Sequence, residues 1–253
     1  RVGMSGYRAL TDQNLTATLK YVDAVHPERS ALVLVPQGSH GGEGPIWTGP
    51  RAEEQLAELL DWFPSAELAQ ALASYEYWAH EEFLQEHDHF KLLGEDNVRR
   101  YRPVEVIRVR VDPLDTPFEV LARIGAARCV GSRVVVSSPP GLTGELADLI
   151  QRLDDETESW AASIEFVEES DTALSQLIEE QHAGRVRYAS PGRVPEAVRT
   201  AGAVALDWVA DVEVSAHGRI ELLWYLREQS VSYRYHRYGN LGFRSQEPRG
   251  EPA

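Results

Sequence analysis

Three groups of residues in this chain have the types and spacing to do chemistry. Residues 80–90, "HEEFLQEHDHF", offer His80, Glu81, His87 and His89, with His80 and His87 on one face if the stretch is helical. A zinc protease needs two histidines four apart with a glutamate between them, and that spacing is missing, so this is read as an exposed, His-rich helix end. Cys129 is the only cysteine. It sits in an apolar helical pattern with Ile124 and Val130, where cysteine serves as a small core residue, and no His or Asn stands at a recognisable activating distance. Residues 36–50, "PQGSHGGEGPIWTGP", are glycine-rich but have no G-K-[ST] and no G-x-G-x-x-G opening a helix, so they read as loop. A weaker candidate is "VVVSSPPG", where Ser137 and Ser138 close a strand at the edge on which doubly wound sheets bind nucleotides. They can donate hydrogen bonds, but no charged or glycine-rich partner accompanies them.

The elements that must position these groups follow from periodicity. Leu56, Leu59, Leu60 and Phe63 fall at helical spacing, and Pro64 and Ser65 separate them from a second helix running to about His87. That second helix would bury Leu68, Leu72, Tyr75, Trp78, Ala79 and Phe83. Residues 51–96 are therefore a helical hairpin. Beyond it, "EVIRVRVDP" (105–113) alternates as a strand. "TPFEVLARIGAARCVG" then starts a helix with Thr116 as N-cap and Pro117 at the first helical position, and "RVVVSSPPG" (133–141) is the next strand. The alternation continues through a helix at about 143–162, a strand at 163–169, a helix at 172–182, a strand at 185–189, a helix from Pro195 and a strand at 203–209. Strands and helices at this pitch predict an α/β, doubly wound, Rossmann-like parallel sheet over residues 97–217.

Composition narrows the partners. The 253 residues are 43% hydrophobic with net charge −15, which argues against nucleic acid or an anionic membrane. Most carboxylates fall in 53–96 and 144–180, and arginine is rich in 185–249; this basic tail suits an acidic surface. A lone cysteine and the lack of any long apolar run read as cytoplasmic. With Arg1 first and Met4 close behind, the chain is expected to be a fragment of something longer. Residues 1–50 are poorly patterned, and residues 245–253 are expected to be a disordered tail.

The βαβ unit at 97–141 resembles the start of the NAD-binding domain of aldehyde dehydrogenases. That family has "RYRP" before a strand, then "P-W-N-F-P" and a helix, then "A-A-L-A-A-G-N-x-V-V-x-K-P". Here the same positions are residues 100–103, "PLDTP" (113–117), and 126–131 followed by 134–139. The functional letters differ: Asp115 replaces the family's Asn, Ser137 replaces the Lys that grips the ribose, and "RVRYASPG" (185–192) stands where a glycine-rich turn belongs. The resemblance thus implies the fold and argues against the activity. It leaves Asp115, Ser137 and Ser138 as a degenerate nucleotide edge, without catalytic, cofactor or metal residues.

A narrower resemblance covers "HDHFKLLGEDNVRRYRP", "IEFVEESD" and "HGRIELLWYLREQSVSYRYHRYGNLG", which are similar to the C-terminal region of bifunctional proline utilization A proteins. These join a flavin proline dehydrogenase to an L-glutamate γ-semialdehyde dehydrogenase, so NAD and FAD are expected in the parent enzyme and none in this chain. Residues 33–52 are more loosely similar to the close of the catalytic dehydrogenase domain. The resemblance implies a non-catalytic domain that docks on the dehydrogenase module, in the same or an associated chain, and covers its intermediate tunnel; a second copy of this chain is the other partner considered. A helix–strand motif over 218–244 would make the contact through Trp224, Tyr225, Arg227, Tyr233, Tyr235, His236, Arg237, Tyr238, Gly239 and Asn240. Aromatics and arginines suit such an interface, and an alternating strand can add to a sheet edge. On this reading, removing residues 220–253 leaves the α/β domain folded. The competing functions are NAD-dependent aldehyde oxidation using Cys129 and a free-standing α/β binding protein.

Overall fold

The computed structural model describes residues 51–236 and 240–250. The segment 1–50, with its glycine-rich stretch, and the motif residues Arg237, Tyr238 and Gly239 lie outside the described residues.

The centre of the structure is a parallel sheet of four strands: β2 (Val106–Arg110), β3 (Arg133–Ser138), β4 (Ile164–Glu168) and β5 (Arg185–Arg187), ordered β4-β3-β2-β5. Helices connect them: α3 (Pro117–Cys129), α4 (Glu145–Glu156) and α5 (Asp171–Glu179), with α6 (Glu196–Ala205) after β5. The chain winds outward from β2 through β3 to β4, then returns to the other side of β2, which is the doubly wound α/β arrangement. α3 starts where the sequence requires. Thr116 and Glu119 form a reciprocal capping box, Pro117 occupies the first turn, and Gly131 at φ +86° lets the chain leave.

One face of β2 and β3, with Ile107, Val109, Val134 and Val136, packs on α3, α4 and the hairpin of α1 (Arg51–Trp62) and α2 (Ala66–Trp78). A second core joins Leu174 and Ile178 of α5, Val186 of β5 and Val198 of α6. The arginines of β2 point away from the first core. Arg108 and Arg110 are nonetheless buried, so the alternation that predicts a solvated face instead marks a charged interior.

Four segments differ from expectation. α2 ends at Trp78 and widens into a π turn at Ala79–Phe83, which ends with Phe83 edge-on to Tyr101 at 4.9 Å. The strand expected at 203–209 does not form: α6 continues to Ala205, Leu206 turns left-handed at φ +53°, residues 207–209 are irregular, and Ala210 bridges to Arg187. The helix expected to open the 218–244 motif shrinks to α7 (Gly218–Glu221) and a 3₁₀ turn, and β6 (Leu226–Arg234) begins at once. Finally, residues 95–103 are a strand, β1 (Glu95–Pro103), which pairs antiparallel with β6 from Glu95↔Arg234 to Pro103↔Leu226.

The connection into β6 is embedded. Leu222, Tyr225 and Leu226 belong to the main core, and Gly218 lies so close to α2 that a Cβ there would fall 2.3 Å from the Ser74 carbonyl oxygen. Among the described residues, no helix is long and apolar enough to cross a membrane.

Candidate functional site

Doubly wound sheets bind ligands where the chain reverses, at the carboxyl ends of the two strands flanking the switch point. Here those strands are β2 and β5, and the space between them is filled by Arg123 of α3, which is fully buried. Its Nη1 donates to the carbonyl oxygens of Arg110 (2.8 Å) and Arg187 (3.1 Å), and its Nε donates to that of Glu119 (2.8 Å). Its Nη2 donates to Asp115 Oδ2, while Asp115 Oδ1 accepts from Arg193 Nη1 at 2.7 Å. Arg193 also reaches Glu119 Oε2 at 2.9 Å. Burial raises the Glu119 carboxyl, but hydrogen bonds from Arg193 and Thr116 outweigh it and hold the group below its ordinary value. Asp115 is therefore committed to two guanidiniums, with both oxygens taken.

Ser137 is committed as well. Its hydroxyl donates to Glu169 Oε1 at 2.6 Å and accepts from Arg110 Nη1 at 2.9 Å. Arg110 continues to Asp171 at 2.8 Å, and Arg108 pairs with Glu169 at 2.7 Å. The polar face of β2 is thus neutralised by α5 and the turn before it. Ser138 differs: its hydroxyl has no partner among the described residues. It opens on a cleft of about 230 Å³ walled by Leu142, Ile150 and Phe166 and also lined by Asp154 and Glu168. No Lys or Arg is in that lining, among the described residues, to meet the phosphates of a dinucleotide.

The remaining candidates scatter. His87 stacks on His89 at 5.4 Å, and its Nε2 lies 2.8 Å from the Glu82 carbonyl oxygen. His80 is exposed near Glu53, and Glu81 is exposed. Among the described residues, no three His, Cys, Asp or Glu side chains are grouped to hold a metal. Cys129 ends α3, so it sits about 20 Å from the carboxyl edge where that helix starts. Burial, with Glu76 and Glu53 nearby, pushes its thiol well above the ordinary range, the opposite of an activated nucleophile.

The terminal motif divides into structural and outward-facing residues. Tyr225 is buried and donates to Glu221 Oε1 at 2.8 Å, and the same oxygen accepts from Arg187 Nη2 at 2.8 Å. Glu221 Oε2 accepts from the Ser215 N–H at 2.9 Å, and Tyr75 of α2 donates to the Ser215 carbonyl at 2.7 Å. This network locks residues 215–225 to β5 and α2. A cut at 220 would strip Glu221, Leu222, Tyr225 and Leu226 from the core, so the contact segment is not a separable arm.

Tyr235 is held at the far end of the ribbon. Its hydroxyl accepts from Gly94 N at 3.0 Å, and the Arg244 guanidinium lies over its ring at 3.9 Å. Arg244 and Arg249 both grip Asp96, at 2.8 and 2.7 Å. Residues 245–250, expected to be disordered, are instead tied back through Glu247 and Arg249. His236 is exposed beside Gly94, whose φ of +90° and lack of a side chain admit it. Asn240 is exposed and accepts from Gly242 N. Tyr233 is half-buried opposite Asp96 in the ribbon. Trp224 packs on Trp208 at 5.4 Å, with Arg185 over the Trp208 ring, and Arg227 is exposed opposite Arg102. Among the described residues, β6 has a strand neighbour on one side only.

Sequence reasoning missed Arg123, Arg187, Arg193 and Glu221. Only Glu221 left a signal, as a lone carboxylate inside the apolar run "IELLWY".

No family model matches this chain, and no curated protein does. Among solved structures it is similar to proline utilization A from Corynebacterium freiburgense, at 25% identity and TM-score 0.48, over 78% of this chain and 16% of that one. It is also similar to proline utilization A from Bradyrhizobium japonicum, at 17% identity and TM-score 0.43, over 64% of this chain and 18% of that one. A third likeness is to aldehyde dehydrogenase from Bacillus cereus, at 14% identity and TM-score 0.40, over 63% of this chain and 35% of that one. The chain thus spans less than a fifth of the two proline utilization A chains.

Proposed function

We propose that this chain is a non-catalytic, aldehyde-dehydrogenase-like domain of a proline utilization A protein. It docks on an L-glutamate γ-semialdehyde dehydrogenase module and covers the tunnel through which the intermediate passes. One observation carries the non-catalytic half: the switch-point crevice is filled by Arg123, with Asp115 and Arg193 closing around it. A buried guanidinium whose three nitrogens all donate within the fold leaves neither room nor hydrogen bonds for a dinucleotide. The docking half is supported by the terminal motif and by the ribbon, since two strands alone are marginal in water and β6 has an open edge for a partner strand. NAD and FAD belong to the catalytic modules of the parent enzyme.

The competing reading, NAD-dependent aldehyde oxidation, has the cleft beside Ser138 in its favour. Calorimetric unfolding with and without millimolar NAD separates the two, because a ligand at a hundred times its dissociation constant adds about 2.7 kcal/mol. The expected result is an unchanged midpoint and no aldehyde oxidation by the chain alone. A dose-dependent rise would overturn the non-catalytic assignment.

A further inference from the structure

The ribbon carries a charge arrangement that its own fold does not explain. Arg102 of β1 and Arg227 of β6 are direct cross-strand partners, and like charges so placed destabilise a sheet. Neither has an ion pair or side-chain hydrogen bond among the described residues. Arg100 lies on the same face two residues along, and Glu86 is its carboxylate at 3.0 Å. Next to Arg227 stands Arg185, whose Nη1 donates to the carbonyl oxygens of Trp224 (2.9 Å) and Leu226 (3.0 Å) and to no carboxylate among the described residues. Its acidic neighbour, Asp207, accepts from the Trp208 N–H at 2.9 Å. Burial and the charge of Arg227 push Arg185 down to about 10. Arg102 is lowered too, by burial and by Arg100, which outweigh the opposing charge of Glu86. Arginines are thus concentrated on one patch of a chain whose net charge is −15.

Apolar surface accompanies the cations: Arg185 lies over the Trp208 ring, and Leu206 and Leu223 flank Trp208 and Trp224 in the chain. Trp208 is 46% exposed, Leu223 44% and Leu206 94%. The Trp224 indole N–H, shielded from solvent, has no acceptor among the described residues.

We propose that Arg102, Arg227 and Arg185, flanked by Trp208 and Leu223, form a receptor for an acidic–apolar protein segment whose carboxylates seat between the opposed guanidiniums. The occupant must bring negative charge, because no carboxylate among the described residues pairs with Arg102 or Arg227 and an anion seated between them relieves their repulsion. It must also bring apolar side chains, because Trp208, Leu206 and Leu223 otherwise stay in water. A protein segment meets both demands. The inference rests on the docking reading for the partner's identity, and on the arginine cluster for its chemistry.

The test uses the whole chain and a synthetic peptide alternating glutamate with phenylalanine, read by tryptophan fluorescence at low salt. A lysine–phenylalanine peptide is the control. Saturable binding of the acidic peptide alone is expected, weakened about tenfold or more by Arg227→Glu and by high salt. Arg227→Glu should also raise the thermal midpoint of the free chain, since it turns a repulsive cross-strand pair into an attractive one. A residue with only a structural role would lower it. Absence of saturable acidic-peptide binding, or equal affinity of Arg227→Glu, overturns the proposal. The same variant is then titrated against the dehydrogenase module. If the peptide binds and the module does not, the docking reading fails and the receptor stands. If the module binds Arg227→Glu as tightly as the unmodified chain, the receptor fails and the docking reading stands.

Discussion

Removing the Glu221 carboxylate should cost the domain a large part of its stability, and the structure says why. The Arg187 and Glu221 side chains are 1% and 0% exposed, so Glu221→Ala leaves a guanidinium buried without its counter-charge. The carbonyls of Tyr188 and Val212 would remain as its acceptors. The Tyr225 hydroxyl and the Ser215 N–H would lose their acceptor as well. Breaking such a pair by one partner costs about 3–5 kcal/mol, against a whole-domain stability of about 5–15 kcal/mol. Replacing both partners, as Arg187→Met with Glu221→Leu, removes the uncompensated charge, and most of the loss should be recovered. Urea unfolding followed by tryptophan fluorescence measures both, with the slope checked for constancy. A loss below about 1 kcal/mol for Glu221→Ala, or a double variant worse than the single one, would refute the reasoning that this buried pair anchors the terminal segment.

Gly218→Ala should destabilise by about 1–3 kcal/mol or more, because its methyl would meet the rigid Ser74 backbone rather than a movable side chain; urea midpoints test it. Burial raises the Asp96 carboxyl, but Arg244 and Arg249 outweigh it and hold the group below its ordinary value. Its stabilisation is then complete above the ordinary value of 3.8 and is lost as pH falls through the lower folded value. Amide exchange at Tyr235, whose N–H donates to the Gly94 carbonyl, should show protection that fails below about pH 4. Asp96→Asn should reduce that protection already at neutral pH. Cys129 should resist iodoacetamide in the native state and react only on unfolding, which mass spectrometry across a urea series reads directly.

Much of the sheet was legible because β2 and β3 carry β-branched residues between strong turn signals, and α3 is announced by Thr116, Pro117 and Glu119. β1 was not legible: "NVRRYRP" shows no apolar alternation, and its partner β6 lies about 130 residues away, beyond the reach of local pattern. The run at 203–209 misled for the opposite reason. Its Val, Leu and Trp suit a strand, yet Val204 and Leu206 are exposed and α6 takes the first of these residues. At the site, Asp115 and Ser137 were visible as departures from a nucleotide edge, but what fills that edge was not. Arg123 reads locally as one polar residue in a helix. Its role follows from the carbonyls of β2 and β5, which only the strand order brings together.

The central claim, an inactive module docked on a working one, is tested most directly by titrating this chain into the dehydrogenase module of its parent enzyme, prepared without it, in a calorimeter. Saturable binding near one to one is predicted, with a negative heat-capacity change from buried apolar surface. Absence of binding heat at any temperature, together with unchanged sedimentation of both components, would contradict it.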